Sequence, residues 1–300
     1  MKYVITGASG HISKPIVLQL LSEGHDVTVI GRSAGNLQEL TSKGAKAAIG
    51  SLDDAIFLAG SFKGADAVYL MTPPNYNSAS IKDYIASVGK NYVAALQASG
   101  VQHAVVLSSI GAHLSSGVGP VDGIHRLEQE LNKLDNVNIL YLRPAYFYYN
   151  LFSNLELIRH QNIIGSNFSA GAGQFPLVHT SDIAAAAGEA LLKLDFKGHS
   201  VKYVVSDEVG TDQIAATIGK AIGKPELPWV KFTDDQALQG MQQAGLGEDI
   251  SNNYVEMGNA IDSGVMSEDY FKNGNGPIGK VKLTDFAQEF AAVYKAPNPA

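Results

Sequence analysis

TGASGHIS, residues 6–13, stands between a β-branched run, YVIT, and an apolar-periodic stretch, SKPIVLQLLSEG. A glycine pattern that leaves a strand and opens a helix is the context in which such a loop has a mechanism. Gly7 permits a tight turn, and Gly10 lets a phosphate approach the backbone with no Cβ in the way. The expected helix start at His11–Lys14 presents N–H groups and the positive end of the helix dipole to a pyrophosphate. Gly7, Ser9, Gly10, His11 and Ile12 are therefore the expected phosphate cradle. The third glycine of such loops serves close helix-on-strand packing. Here Ser13 stands in its place, the smallest polar replacement. It predicts a helix set slightly outward and a loop weakened but not abolished.

Outward from the loop, short β-branched runs alternate with helical stretches: YVIT, SKPIVLQLLSEG, HDVTVIG, NLQELTSKG, AKAAIG. This is the βαβ rhythm of a parallel sheet. It continues through ADAVYLM, a helix near 80–99, QHAVVLSS, a helix near 121–134, and VNILYLRP. The strands are nearly all apolar, as expected when helices cover both faces. Gly24, Gly44 and Gly100 stand where left-handed helix caps are wanted. After Pro144 the rhythm breaks into an aromatic stretch, a glycine-rich segment from Gly165 to Gly173, and an Ala-rich helix that Ser181 and Asp182 are expected to cap. One more strand, VKYVVS, precedes helices, a short WVKF strand and a helical tail whose KAPNPA end is expected to fray. The predicted fold is α/β: a doubly wound parallel Rossmann sheet with a smaller, mostly helical C-terminal part. Residues 1–150 form the nucleotide-binding domain, with 177–195 returning to it; 151–176 and 196–300 form the substrate or lid part.

A 45% hydrophobic, 17% charged chain of 300 residues can bury a core without staples. Its net charge of -7 argues against nucleic acid or an anionic membrane as main partner. A small-molecule substrate is the expected partner. The absence of cysteine excludes disulfides, thiolate nucleophiles and Cys-type zinc sites. No metal is implied by any spacing of His, Asp and Glu. No basic n-region with an apolar h-region opens the chain, and no run approaches the ~20 apolar residues of a membrane helix. A cytoplasmic location is the corresponding expectation.

The second strand ends VTVIGRS, where an NAD-preferring site would place an acidic residue for the ribose 2′-hydroxyl. Arg32 stands there instead. A guanidinium takes a 2′-phosphate bidentately, so NADP(H) is favoured, with NAD(H) as the alternative.

With TGASGHIS and Arg32 come GADAVYLMTPPN (64–75), VVLSSIGAH (105–113), LRPAYFYYNL (142–151), HTSDIAAAAGEAL (179–191) and the helical end at 234–264. In this order they resemble the NmrA-like branch of the atypical short-chain dehydrogenases/reductases over nearly the whole chain. The resemblance implies that Ser51 and Leu52, after the third strand, contact adenine. It places Met71, Thr72 and Pro73 under the ribose and pyrophosphate, and Ser108 beside the nicotinamide. Pro144 and Phe147 border the nicotinamide, and Asn150 closes that loop.

Dehydrogenases of this class usually carry Tyr-x-x-x-Lys on a helix, the lysine lowering the tyrosine pKa. The corresponding helix reads GPVDGIHRLEQELNKL, with no tyrosine and only Lys133 near its end. His125 is the candidate proton donor, because histidine titrates near neutrality; the alternative is a hydrogen-bonding neighbour of the cofactor. The dense cluster Tyr146, Phe147, Tyr148, Tyr149 and Phe152 offers either a flat wall for a planar substrate or core packing. Tyr146, Tyr148 and Asn150 are the expected substrate contacts. A quinone suits both the wall and the missing acid–base pair, since a nicotinamide hydride performs the hard step. Two functions remain open: an NAD(P)H-dependent reductase of a small planar electrophile, and a non-catalytic NADP(H) sensor signalling to a protein partner. A homodimer stays open as well.

Overall fold

β-Branched and aromatic residues with both faces buried make the central strands. Val4, Ile5, Val27, Val29, Val68, Tyr69 and Val105 are all almost fully buried. The computed structural model describes residues 1–296, so residues 297–300 of the KAPNPA end, where fraying was expected, lie outside the described residues. The first elements are β1 (Lys2–Ile5), α1 (Ser13–Ser22), β2 (Asp26–Gly31), α2 (Ala34–Thr41), β3 (Lys46–Ile49) and α3 (Ala55–Phe62). Then come β4 (Ala67–Leu70), α4 (Ile81–Ser99), β5 (His103–Leu107), α5 (Val121–Leu131) and β6 (Asn138–Pro144). The chain continues through β7 (Tyr146–Phe147), a 3-10 helix (Tyr148–Asn154), α6 (Leu155–Gln161), β8 (Ile164–Ser166), β9 (Phe175–Val178), α7 (Thr180–Lys193) and β10 (His199–Val204). It ends in β11 (Asp207–Val209), α8 (Thr211–Ile222), β12 (Trp229–Lys231), α9 (Asp234–Gln243), α10 (Glu248–Asp262), α11 (Glu268–Asn273) and α12 (Leu283–Lys295).

The seven-stranded sheet runs β10-β6-β5-β4-β1-β2-β3, and the pairs from β3 to β6 are parallel. This is the doubly wound α/β fold expected from the sequence. Gly24, Gly44 and Gly100 adopt the left-handed φ values of 77°, 105° and 72° that their helix ends require.

The chain divides into two compact units: 1–115, 121–143 and 183–202 in the first, 116–120, 144–182 and 203 onward in the second. A major break falls after Arg143, at the end of β6. In the first unit, α4 and α5 pack so closely that a Cβ on Gly123 would lie 2.8 Å from the Lys82 carbonyl oxygen. Beside this contact, Lys82 pairs with the buried Asp122 at 2.6 Å.

The second unit holds a three-stranded sheet, β11-β9-β7, and a two-stranded one, β12-β8. Its interior is aromatic. Tyr148 stacks on Phe286 at 5.1 Å and Phe152 on Phe290 at 5.3 Å. The expected Ser181–Asp182 cap takes another form. α7 begins at Thr180, and the Ser181 N–H donates to His179 Nδ1 at 3.2 Å. The Asp182 carboxylate instead accepts the backbone N–H groups of Lys280 and Val281 and the Ser206 hydroxyl, at 3.0, 3.1 and 2.7 Å. Two donors from the chain's far end and the Ser206 hydroxyl take the carboxylate in place of the local cap.

Candidate functional site

β1 has β2 on one side and β4 on the other. The connections from these strands run in opposite directions, so a crevice opens outside their carboxyl ends, where open α/β sheets hold ligands. TGASGHIS leaves β1 there. Gly7 has φ +60°, and a Cβ on it would lie 2.3 Å from the Met71 Sδ. The position is open only to glycine on both counts. The Gly10 N–H donates to the Gly7 carbonyl at 3.0 Å and closes the turn. No side chain caps α1 at Ile12, and an uncapped helix start of this kind accommodates an anion; the Lys14 N–H, expected among the donors, is taken by the Gly10 carbonyl at 3.0 Å, and Pro15 has none.

Ser13 is almost fully buried, and its hydroxyl donates to the Thr6 carbonyl at 3.0 Å. Where a glycine would let helix and strand approach, the serine bridges them. Thr6, also buried, donates its hydroxyl to the Tyr69 carbonyl at 3.1 Å and accepts the Met71 N–H at 2.8 Å. The Tyr92 hydroxyl donates to the Met71 carbonyl at 2.6 Å. Thr72 Oγ1 is buried and has no hydrogen-bond partner among the described residues. An orphaned hydroxyl in the turn after β4 fits the ribose-side contact that the resemblance implies.

Arg32 follows Gly31 at the end of β2 and is exposed, while Ser33 caps α2 by accepting the Asn36 N–H. Burial raises the Tyr84 pKa, the nearby Asp53 charge adds to the rise, and Arg32 opposes it. The end of β2, the turn after β3 and the first turns of α4 thus share one electrostatic neighbourhood. In that turn the Ser51 hydroxyl donates to Asp53 at 3.1 Å. The Leu52 carbonyl accepts the Asn91 side-chain N–H at 3.0 Å.

Ser108 sits at the end of β5, as expected, but is 5% exposed, and its hydroxyl donates to Glu128 Oε1 at 2.5 Å. Glu128 also accepts from Arg143 Nε at 3.1 Å and Nη2 at 2.6 Å. These two buried charges joining α5 to β6 went unremarked in the sequence. The available signal was a charged residue inside each apolar pattern, LEQEL and LYLRP. α5 itself reads VDGIHRLEQEL, without tyrosine or lysine. His125 on this helix lies with Nδ1 2.8 Å from the Ala112 carbonyl. A carbonyl accepts only, so Nδ1 carries the proton, and a neutral ring keeps its lone pair on Nε2. His125 donates a proton from Nε2 only as the imidazolium.

The first unit therefore gathers Gly7, Ser9, Gly10, His11, Ile12, Arg32, Ser51, Leu52, Met71, Thr72, Pro73 and Ser108 at strand ends and the turns that follow them. Pro144, Tyr146, Phe147, Tyr148 and Asn150 belong to the second. Tyr146 packs against Phe175 at 5.1 Å; burial pushes its pKa up to about 12, opposed by a hydrogen bond with Asn150. Tyr148, expected to border a substrate, is fully buried, and its hydroxyl donates to Asp207 at 2.9 Å. The unit's own packing takes up that ring.

Residues 7–140 match the family model described as NAD(P)H-binding. The chain is 24% identical over 254 residues, 85% of each protein, to the NAD(P)H azoreductase of Xenophilus azovorans. Two solved structures share the fold. The Citrobacter sp. triphenylmethane reductase complexed with NADP(H) has a TM-score of 0.79 at 20% identity, over 96% of this chain and 99% of that one. The Escherichia coli NADPH-dependent quinone oxidoreductase complexed with NADPH reaches 0.74 at 18% identity, over 96% and 99%. No described helix is long and apolar enough to cross a membrane. Over residues 7–140 the chain thus matches an NAD(P)H-binding family model, and along nearly its whole length it shares the doubly wound fold of these solved structures.

Proposed function

We propose that the protein is an NADPH-dependent reductase of a small planar electrophile, with a quinone as the first candidate. The observation that carries this reading is the glycine loop at the β1–β4 switch point, with Arg32 following β2. Gly7 to Ile12 would hold the diphosphate, Arg32 the 2′-phosphate, Ser51 and Leu52 the adenine, and Met71 to Pro73 the ribose side. When bound, the nicotinamide supplies a hydride. The relatives named above are reductases whose names concern azo, triphenylmethane-dye and quinone chemistry, all extended conjugated acceptors. Such acceptors need no Tyr/Lys pair: a quinone or azo group takes its proton on oxygen or nitrogen after the hydride, and a cationic triphenylmethane dye takes the hydride on carbon with no proton. His125 as imidazolium, or solvent, supplies the quinone's proton.

The test is NADPH fluorescence with stoichiometric protein, followed by a benzoquinone against a protein-free control. Binding followed by rapid loss of reduced cofactor is the expected result. Binding without turnover over a panel of quinones and aldehydes would overturn the reductase in favour of a dinucleotide sensor. Arg32→Ala should weaken NADPH by more than about tenfold, the size of one charge-assisted phosphate contact, and NADH by less than about twofold. Equal losses for the two would remove the 2′-phosphate assignment.

A further inference from the structure

The turns after β3 and β4 leave the sheet, so their carbonyls need partners that the strand ladder no longer provides. Consecutive residues of α4 provide them. The Asn91 side-chain N–H donates to Leu52 at 3.0 Å, and the Tyr92 hydroxyl donates to Met71 at 2.6 Å. β3 and β4 are not neighbours in the sheet; β1 and β2 stand between them. No ladder links these two turns directly, yet one helix holds both. That helix is 19 residues long, capped by Ser80 at its start and by a left-handed Gly100 at its end. It is further fixed against α5 where a Cβ on Gly89 would lie 3.0 Å from the Leu127 Cα.

We propose that Asn91 and Tyr92 are positioning residues for the dinucleotide cleft, setting the adenine-side turn through Leu52 and the ribose-side turn through Met71. The proposal rests on the reading of this cleft as an NADP(H) site. Met71 is gripped at both its backbone groups, its N–H by Thr6 Oγ1 at 2.8 Å and its carbonyl by Tyr92. With the backbone so fixed, the thioether covers Gly7, where a Cβ would meet Sδ at 2.3 Å. Tyr92 thus reaches the glycine loop through a single residue. Its hydroxyl is wholly buried, and burial raises its pKa, so it remains a donor at any working pH.

The experiment uses the full chain with Asn91→Ala and Tyr92→Phe. Dissociation constants are measured for NADPH and for adenosine 2′,5′-bisphosphate, which carries only the adenine half, alongside urea unfolding. Asn91→Ala should weaken both ligands about fivefold, the worth of one ordinary hydrogen bond. Tyr92→Phe should weaken NADPH by about the same factor and leave the bisphosphate within about twofold. Groups that merely satisfy carbonyls would lower the urea midpoint while both affinities stay within about twofold of wild type, and that result overturns the proposal. Should Tyr92→Phe fail to fold, Thr6→Val, which removes the other grip on Met71, carries the same expectation. Wild-type protein that binds neither ligand overturns the reading of the cleft itself, an outcome distinct from unchanged variants on a binding wild type.

Discussion

Around the glycine loop and the Met71 turn of the first unit, the groups that hold the backbone are neutral: Thr6, Ser13 and Tyr92. In the second unit carboxylates hold it, one buried, Asp182, and one half-buried, Asp207. Asp182 accepts the N–H groups of Lys280 and Val281, and Asp207 accepts the Leu283 N–H and the Tyr148 hydroxyl. A carboxylate binds a backbone N–H more strongly than a hydroxyl does. It would also set a fixed negative charge beside the loop that is to receive a diphosphate, and such charges repel across several ångströms in a low dielectric. Neutral braces beside the glycine loop are the arrangement expected of an anion site. The one buried carboxylate joining α5 to β6, Glu128, is neutralised by Arg143 at 2.6 Å.

The largest effect should come from that pair. Glu128→Ala leaves the Arg143 guanidinium buried without its counter-charge and should lower stability by roughly 3–5 kcal/mol in urea unfolding followed by far-UV circular dichroism. The double variant Glu128→Ala/Arg143→Met should recover part of the loss. If the single and double variants are equally destabilised, the charge is not what makes the site costly to break.

Asp182→Ala should come next, at roughly 3 kcal/mol, because three donors lose a charged acceptor together. Trp229, the chain's single tryptophan, lies in the second unit and reports this transition by its emission. A loss of less than about 1 kcal/mol would erase the contrast between anionic and neutral braces.

Alkaline pH probes carboxylates of the second unit through their tyrosine partners. Burial, then the Asp207 charge, raises the pKa of Tyr148, and burial with Glu208 raises that of Tyr270. A group whose pKa is raised on folding contributes stability that is complete below its unfolded value, about 10 for tyrosine, and is lost as pH climbs toward the folded value. Trp229 emission should therefore show constant urea stability up to about pH 10 and a fall above it. Asp207→Asn, which removes the negative neighbour, should make that fall shallower for Tyr148. A profile flat to about pH 12 would contradict the shifts.

The crevice was more legible in the sequence than the groups that brace it. β1, the glycine loop and α1 are contiguous, and each rule that marks them spans a few residues. The all-apolar strands and the glycine caps at Gly24, Gly44 and Gly100 were legible for the same reason. Asp182 was read as a helix cap because its real partner, Lys280, lies 98 residues away. Ser108 was expected beside the nicotinamide, and nothing local announces that Glu128, 20 residues on, takes its hydroxyl. Tyr148 stands in an aromatic run that suits a wall and a core equally. Phe286 and Asp207, both distant in sequence, decide for packing. Residues that act through long-range polar contacts carry no local period, whereas those that act through backbone geometry do.

Ser13 joins both kinds, and it gives the smallest expected effect. A glycine at this place in a phosphate loop is read as a packing device. In this chain the serine hydroxyl reaches the Thr6 carbonyl, while the Thr6 hydroxyl fixes Met71, so one short chain of hydrogen bonds runs from the first residue of α1 to the turn after β4. Ser13→Gly removes that bond and adds backbone freedom at the start of a helix, so stability should fall by about 1 kcal/mol. NADPH affinity should change by less than about threefold, because Gly7, Gly10 and the N–H groups at the start of α1 are untouched. Tighter binding beyond that range would mean that the serine holds α1 away from the diphosphate. Weaker binding beyond it would mean that the hydroxyl, rather than the missing Cβ, is what this loop uses to set the helix on its strand.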